Sequence, residues 1–454
     1  MMSNLISKYY YYLSVILRYP VFKYNLNKIS FYLKSDWFDK TNYHEDFQKR
    51  SFNQLRKRAL KTKFYKSFFN LTKNETPTFK DFPVLSKIDL RKAENDIRNN
   101  FFLNPRNKSN TGGSSGAPFY FYISPNLRDF EFSHQKFFFD RLGYKKNDLI
   151  YSLDGTRISK EDKEMSIFWK TKVGSGFPYG KVHLSVLELN KKTYEIYIDK
   201  ILKDKPAFLR GYPSALESLA LFIKKTKKSN KFNFIKGILL TSENITEDQI
   251  KNISNIFNTN VYPQYGMTEA CAFGFTKANS LKYYCSPFYG ITEVLDDNNE
   301  HVKLGEVGKV VLSSFGNYYQ PFIRYSTGDL AEYGGFDNGF VILNKIVGRT
   351  QDYIVDKNGT RIMLVGLVFG AHLKSFKAIL TWQIKQDIPG VISIIIDKDD
   401  SVWKEEFELE ILSTLSCNKK VSVEIIYSNV FLFTKSGKRL FLIQNIKKSD
   451  ENNL

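Results

Sequence analysis

With 454 residues the chain is well above the size at which one hydrophobic core usually splits, so two domains or more are expected, and 16% aromatic residues speak for a packed globular protein. A net charge of +20 suits anionic ligands such as nucleotides, an acidic membrane face or nucleic acid; most of the excess is lysine in short runs such as KKTKKSNK, which reads equally well as solvated surface. Three cysteines, Cys271, Cys285 and Cys417, show no CxxC spacing and leave one over in any pairing, which argues against a disulfide framework and a zinc knuckle and fits a reducing, cytoplasmic setting.

The first stretch, MMSNLISKYYYYLSVILRYPVFKY, is apolar and aromatic, but Lys8, Arg18 and Pro20 interrupt it and no small-residue cleavage site follows. Neither a signal peptide nor a spanning helix is expected. An interfacial helix held by Tyr9 to Tyr12 and flanking basic residues stays open as a peripheral membrane contact, beside ordinary packing on the body of the protein. From Tyr43 to about Asn70, apolar residues near helical spacing amid charges predict surface helix. FPVLSKIDLRK then offers Ser86 as an N-cap before a short helix. After a glycine-rich loop come a strand, a helix around 126–142, and short apolar runs separated by helical segments, among them DLIYSLD, PAFLRGYPSALESLALFIKKTKK, FIKGILLTSE and NVYPQYGMTE. Strands alternating with helices predict βαβ units and a largely parallel sheet. Beyond Pro287 the texture turns β-rich, with YGITEVLDD, GKVVLSS and GFVILNKIVG as strands. The last hundred residues read as a small α+β unit: a helix near LVFGAHLKSF, the strand VISIIID, the helix VWKEEFELEILSTL and the strand VSVEIIY. The domains drawn from this are a helical segment at 1–75, a large α/β domain at 76–351 and a small C-terminal domain at 352–454.

The glycine loop, SNTGGSSGAPFYFYIS, is not a Walker loop. Gly116 is followed by Ala117 and Pro118 rather than Lys and Ser or Thr, and the next residues alternate as a strand does. A flexible linker is one reading. The other is a phosphate cradle, because Gly112, Gly113 and Gly116 let backbone N–H groups converge on an anion while Thr111, Ser114 and Ser115 add hydroxyl donors.

Four further stretches resemble motifs of the adenylate-forming superfamily of acyl-CoA synthetases and adenylation domains. YGMTE (265–269) is similar to the motif in which an aromatic residue, here Tyr265 beside Gly266, lies against adenine, Thr268 reaches a phosphate and Glu269 holds Mg²⁺. RYSTGD (324–329) resembles the ribose motif, with Asp329 accepting from the sugar hydroxyls. GRTQD (348–352), followed by KNGTRI, is similar to the hinge motif, with Arg349 directed at the nucleotide and Asp352 as pivot. TKSGKR near the C-terminus resembles the segment bearing a mobile catalytic lysine, which would be Lys438. Within the superfamily, FPVLSKIDLRK, RGYPSALESLA and the run from YGITEVLDD to RYSTGDLAEY resemble the phenylacetate-CoA ligase-like proteins, above all the CapK type encoded among surface-polysaccharide genes. Two positions depart from the pattern: Phe119 stands where many members carry a lysine, and Ser242 where a glycine is common before Glu243.

The resemblance implies an α/β fold: a large domain of mixed, mainly parallel sheets with a β-rich subdomain, and a small mobile α+β C-terminal domain. It implies an enzyme that uses ATP and Mg²⁺ to activate a carboxylic acid and, next, coenzyme A or another acyl acceptor such as a sugar amine or carrier protein; transfer of AMP itself stays open, as does a homodimer. No His-centred triad is expected, since His44, His134, His183, His301 and His372 form no motif; His183 is read as a core or surface residue before an acyl-pocket one. A basic membrane- or nucleic-acid-bound scaffold is the remaining class, but no nucleic-acid module is recognisable, so no nucleic-acid partner is expected.

Overall fold

A computed structural model describes residues 41–70, 76–93, 95–99, 108–110, 119–124, 127–349, 353–364, 378–398, 403–416, 419–428, 430–432 and 442–446, with a few isolated positions. The chain divides into two compact units. The first holds residues up to Thr327 and Ala331–Ile346; the second holds Gly328–Leu330 and Val347–Leu454.

The first unit opens with α1 (Thr41–Ala59), α2 (Lys63–Phe69) and α3 (Lys87–Lys92). Where the sequence predicts one surface helix there are two helices, because Thr62 turns its hydroxyl onto the Ala59 carbonyl at 2.7 Å and accepts from the Tyr65 amide at 3.3 Å, capping α2 and ending α1. One face of the pair is buried rather than solvated: Phe47, Phe52, Leu55, Ala59 and Tyr65 all enter the core. Ser86 is the N-cap of α3 as expected, in a reciprocal box with Asp89.

A short hairpin, β1 (Lys108–Asn110) with β2 (Tyr120–Tyr122), flanks the glycine loop. There follow α4 (Leu127–Arg141), β3 (Ile150–Asp154), α5 (Lys160–Glu164), β4 (Trp169–Thr171), β5 (Val182–Ser185), α6 (Tyr194–Asp204), β6 (Phe208–Gly211), α7 (Pro213–Lys225), β7 (Gly237–Leu240), α8 (Glu247–Phe257) and β8 (Val261–Gly266). Strands β5, β3, β6, β7 and β8 lie side by side and parallel. Both faces are covered, as parallel sheets require. Leu153, Leu209, Ile238 and Leu240 pack with Ile198, Leu216 and Ile253 of the helices on one side, while Ile150, Phe208 and Leu239 meet Phe138 and Phe139 of α4 on the other. This double burial is why these strands read as unbroken apolar runs.

The β-rich part continues the same twelve-stranded sheet through β9 (Phe273–Thr276), β10 (Tyr283–Cys285), β11 (Gly290–Leu295), β12 (Val307–Ser314), β13 (Tyr325–Asp337) and β14 (Phe340–Arg349), in the order β11-β12-β13-β14-β10-β9-β8. Cys271 and Cys285 are buried and free, without a disulfide.

The second unit contains the hairpin β15 (Tyr353–Val355) with β16 (Arg361–Met363), then β17 (Ile379–Ile388), β18 (Val391–Lys398), α9 (Glu405–Leu415), β19 (Ser422–Tyr427) and β20 (Leu442–Gln444). Its four-stranded sheet, ordered β19-β18-β17-β20, packs Ile384, Ile392, Ile394 and Ile396 with Ile411 and Leu415 of α9. The helix read near LVFGAHLKSF lies mostly outside the described residues.

At the unusual Ser242 the backbone is left-handed, with φ +76°, which accounts for glycine being common at this place in the resemblance. A serine there carries roughly 1–2 kcal/mol of strain against the 0.5–1 kcal/mol that glycine loses in chain entropy. Ser242→Gly is therefore expected to raise the denaturant midpoint by the equivalent of about 0.5–1 kcal/mol at unchanged slope; a lowered midpoint would refute the strain. The next residue anchors the turn: the Glu243 carboxylate accepts from the Ser214 amide at 3.1 Å and its hydroxyl at 3.0 Å, capping α7 behind Pro213.

Candidate active site

The parallel strands all end on one edge, at Ser185, Asp154, Gly211, Leu240 and Gly266. In open parallel sheets ligands bind outside this carboxyl edge. The segment YGMTE runs off it. Tyr265 and Gly266 close β8, with Tyr265 half-buried opposite Gly274 and edge-on to Tyr283 at 6.2 Å. A Cβ on Gly274 would come within 3.1 Å of the Tyr265 Cβ, so the glycine gives the ring its seat. Gly266 and Thr268 are exposed, whereas Glu269 between the exposed turn and Ala270 is only 3% exposed.

The Glu269 carboxylate is held from two directions. Tyr325 donates its hydroxyl to Oε1 at 2.8 Å, and the Lys87 ammonium stands 3.7 Å from the same oxygen. Both partners are aimed by one piece of backbone. Leu85 bridges Tyr325 in parallel, with the Leu85 amide donating to the Arg324 carbonyl at 3.0 Å and the Ser326 amide to the Leu85 carbonyl at 2.8 Å. The box at Ser86 then starts α3 and puts Lys87 at its first position. Oε2 of Glu269 meets no partner among the described residues, and no cluster of three or more ligating side chains occurs among them. One open carboxylate suits a Mg²⁺ that takes its other ligands from phosphate and water, and does not suit an all-protein metal cage.

Arg324, which opens RYSTGD, is a structural anchor. It is 8% exposed, sits at φ +47°, and binds Glu293 through Nε at 3.2 Å and Nη2 at 3.1 Å. Its Nη1 reaches the Phe82 carbonyl at 3.2 Å. Burial pushes the Glu293 carboxyl up, with Arg324 pulling it back. Along β13 burial alternates, so Asp329 shares the buried parity of Tyr325 and Thr327. Gly348, just before Arg349 at the end of β14, is at φ +150°. Thr111 to Gly116, Asp352 and Lys438 lie outside the described residues, as does the Arg349 side chain. Phe119 is buried, stacked on Phe121 at 5.8 Å, so it serves the core.

Further along the edge, His183 is a buried structural group. Its Nδ1 meets Asp154 Oδ2 at 2.5 Å and its Nε2 the Gly180 carbonyl at 3.0 Å. Asp154 also accepts from Thr156 Oγ1 at 2.6 Å and Ser152 Oγ at 2.9 Å. Burial would raise the Asp154 carboxyl, but these hydrogen bonds outweigh it and bring it down to about 2. A carboxyl more acidic in the folded than in the unfolded chain stabilises fully above its ordinary value of about 4, and that contribution is lost as pH falls toward the folded value. Asp154→Asn is expected to cost on the order of 2 kcal/mol at pH 7 and to flatten the acid-unfolding curve between pH 4 and 2; an unchanged curve would show that the cluster carries no such linkage.

Sequence reasoning missed Lys87, Tyr325 and Arg210. Lys87 lay in a stretch read for its cap, and Tyr325 inside a motif read for its aspartate. The signal for Arg210 was available: a cation within the apolar strand PAFLRGY.

No family model matches the sequence. The chain is similar to Protein CapK of Staphylococcus aureus, 23% identical over 379 residues that make up 80% of each chain. Among solved structures it is similar to 2-hydroxyisobutyryl-CoA ligase in the postadenylation state in complex with 2-HIB-AMP, with a TM-score of 0.65 and 19% identity over 90% of each chain. It is similar to the same ligase in complex with 2-HIB-AMP and CoA in the thioesterification state, with a TM-score of 0.56 and 18% identity over 91% of this chain and 93% of that one. The chain thus has the fold of the adenylate-forming ligases.

Proposed function

We propose, from the premise of an adenylate-forming fold, that this chain activates a carboxylic acid with ATP as an acyl-adenylate and then passes the acyl group to coenzyme A. One observation carries the reading: the segment leaving β8 offers exposed Gly266 and Thr268 above a buried, half-satisfied Glu269 carboxylate, at the carboxyl edge of the parallel strands.

The substrate carboxylate is anionic at neutral pH, so it attacks the α-phosphorus without a general base. The bond from that phosphorus to the pyrophosphate oxygen breaks, and pyrophosphate leaves. The thiol of coenzyme A then attacks the acyl carbon and AMP departs with the oxygen that joined the two. Such a reaction asks the protein for positioning and for charge placed where charge develops. In this reading Tyr265 lies against the adenine, Asp329 accepts from the ribose hydroxyls, and Arg349 faces the nucleotide. Thr268 and the loop from Thr111 through Gly112, Gly113, Ser114 and Ser115 to Gly116 donate to phosphate oxygens. Glu269 holds Mg²⁺, which supplies neutralisation of phosphate charge. Lys438 bridges the reacting oxygens, and Asp352 is the pivot between the half-reactions. Lys87 adds a second cation beside Glu269. The likeness to CapK-type proteins supports a setting in surface polysaccharide biosynthesis.

The test is a panel of carboxylic acids in ATP–pyrophosphate exchange, followed by AMP release with and without coenzyme A. Exchange that requires an acid, and AMP release that requires coenzyme A, are expected. Absence of acid-dependent exchange overturns the first half-reaction; AMP released to another acceptor overturns the second.

A further inference from the structure

We propose that the acid activated here carries a second carboxylate and that Arg210 is the group that receives it; this rests on the adenylating reading above. The placement follows from topology. From β3 the chain goes on to β5 on one side, whereas from β6 it moves to β7 and β8 on the other. Connections that leave two adjacent parallel strands in opposite directions open a crevice outside their carboxyl ends. That crevice lies between β3 and β6, the strand that bears Arg210 opposite Ser152. Gly211 lets the strands close tightly behind it, since a Cβ there would stand 2.7 Å from the Leu153 carbonyl oxygen.

Arg210 itself is an unanswered donor. Its Nε is sealed from solvent and meets no acceptor, and no hydrogen bond or ion pair to its guanidinium forms among the described residues. The guanidinium rests over the Tyr179 ring at 5.2 Å. Burial presses its affinity for the proton down, while Glu131 and Asp154 attract the charge without forming an ion pair with it among the described residues. Neither acid is available to it. Glu131 accepts from Gln135 Nε2 at 2.9 Å, from Tyr179 Oη at 3.3 Å and from Tyr289 Oη. Asp154 is engaged by His183, Thr156 and Ser152. The side chain is partly buried, with only its Nε sealed away, and a planar fork of N–H donors matches a carboxylate through two parallel bonds. The missing acceptor is therefore a ligand carboxylate. Across β7, Arg210 stands in register with Tyr262 of β8, about 10 Å away as two strand spacings, and on the face of β8 that Gln264 and Gly266 share, so the fork and the point where YGMTE leaves the sheet at Gly266 lie on one side of it.

The experiment compares matched pairs in ATP–pyrophosphate exchange: succinate with butyrate, glutarate with valerate, adipate with hexanoate, and 4-carboxyphenylacetate with phenylacetate. A site built to bond a polar group rejects the analogue lacking it strongly, so at least one dicarboxylate is expected to exceed its partner by about 100-fold or more in kcat/KM. Arg210→Met is expected to reduce that advantage to about threefold or less, and Arg210→Lys, which keeps the charge without the fork, to leave an intermediate one. If the methionine variant does not fold, the lysine variant carries the test. Monocarboxylates used as well as their dicarboxylate partners in every pair, or an advantage that survives both substitutions, overturn the assignment of Arg210 and leave adenylation standing. Exchange with no acid of either series overturns both.

Discussion

Glu269→Gln is expected to lower acid-dependent pyrophosphate exchange by about 10²–10³-fold, the usual effect of removing one preorganised charge-stabilising group from a reacting centre, and to leave the fold intact. The amide retains a carbonyl oxygen in the position of Oε1, so Tyr325 keeps the acceptor it meets at 2.8 Å. Lys87 loses its counter-charge, but its side chain is 22% exposed and turns to water without being stranded. What disappears is the open anionic oxygen, which is the part that a cation on the phosphates needs. Circular dichroism and the denaturant midpoint separate the two effects. A variant that is folded and fully active would remove Glu269 from the chemistry; one that is unfolded would show that the carboxylate serves the core.

The second large effect is on stability. Glu293→Gln is expected to cost about 3–5 kcal/mol, because it leaves the Arg324 guanidinium buried without its counter-ion. The two carbonyls of Lys80 and Phe82 remain within 3.4 and 3.2 Å, but they bring no charge. Joint replacement of Glu293 and Arg324 by methionine is expected to recover most of the loss, as exchanges of whole buried pairs do elsewhere. The consequence extends to the site, since the Arg324 backbone pairs with Leu85 and so fixes both Tyr325 and the start of α3. A loss below about 1 kcal/mol in the single variant, read from the denaturant midpoint, would contradict the anchoring role.

The parallel strands were legible because burial on both faces leaves continuous apolar runs, and Ser86 because a cap and its box are local in sequence. The α1–α2 break escaped because apolar spacing carries through it, while the deciding bond is one threonine hydroxyl on its own backbone. The motif YGMTE was legible as a motif; what holds its glutamate was not. Lys87 and Tyr325 are 182 and 56 residues away, and pairing between the segments around Leu85 and Tyr325 brings them to Glu269. Arg210 was visible as a charge in an apolar strand, but its want of a partner is a property of three dimensions. For His183, read as a core or surface residue before an acyl-pocket one, the partners at both ring nitrogens are chemistry that sequence does not contain.

The central claim is that the acid oxygen joins the α-phosphorus. It is tested by supplying the best acid of the panel with ¹⁸O in its carboxylate, together with ATP and coenzyme A, and by mass analysis of the products. The account predicts one ¹⁸O in AMP per turnover and none in pyrophosphate. Label appearing in inorganic phosphate with ADP, or in no phosphorus product at all, would contradict it.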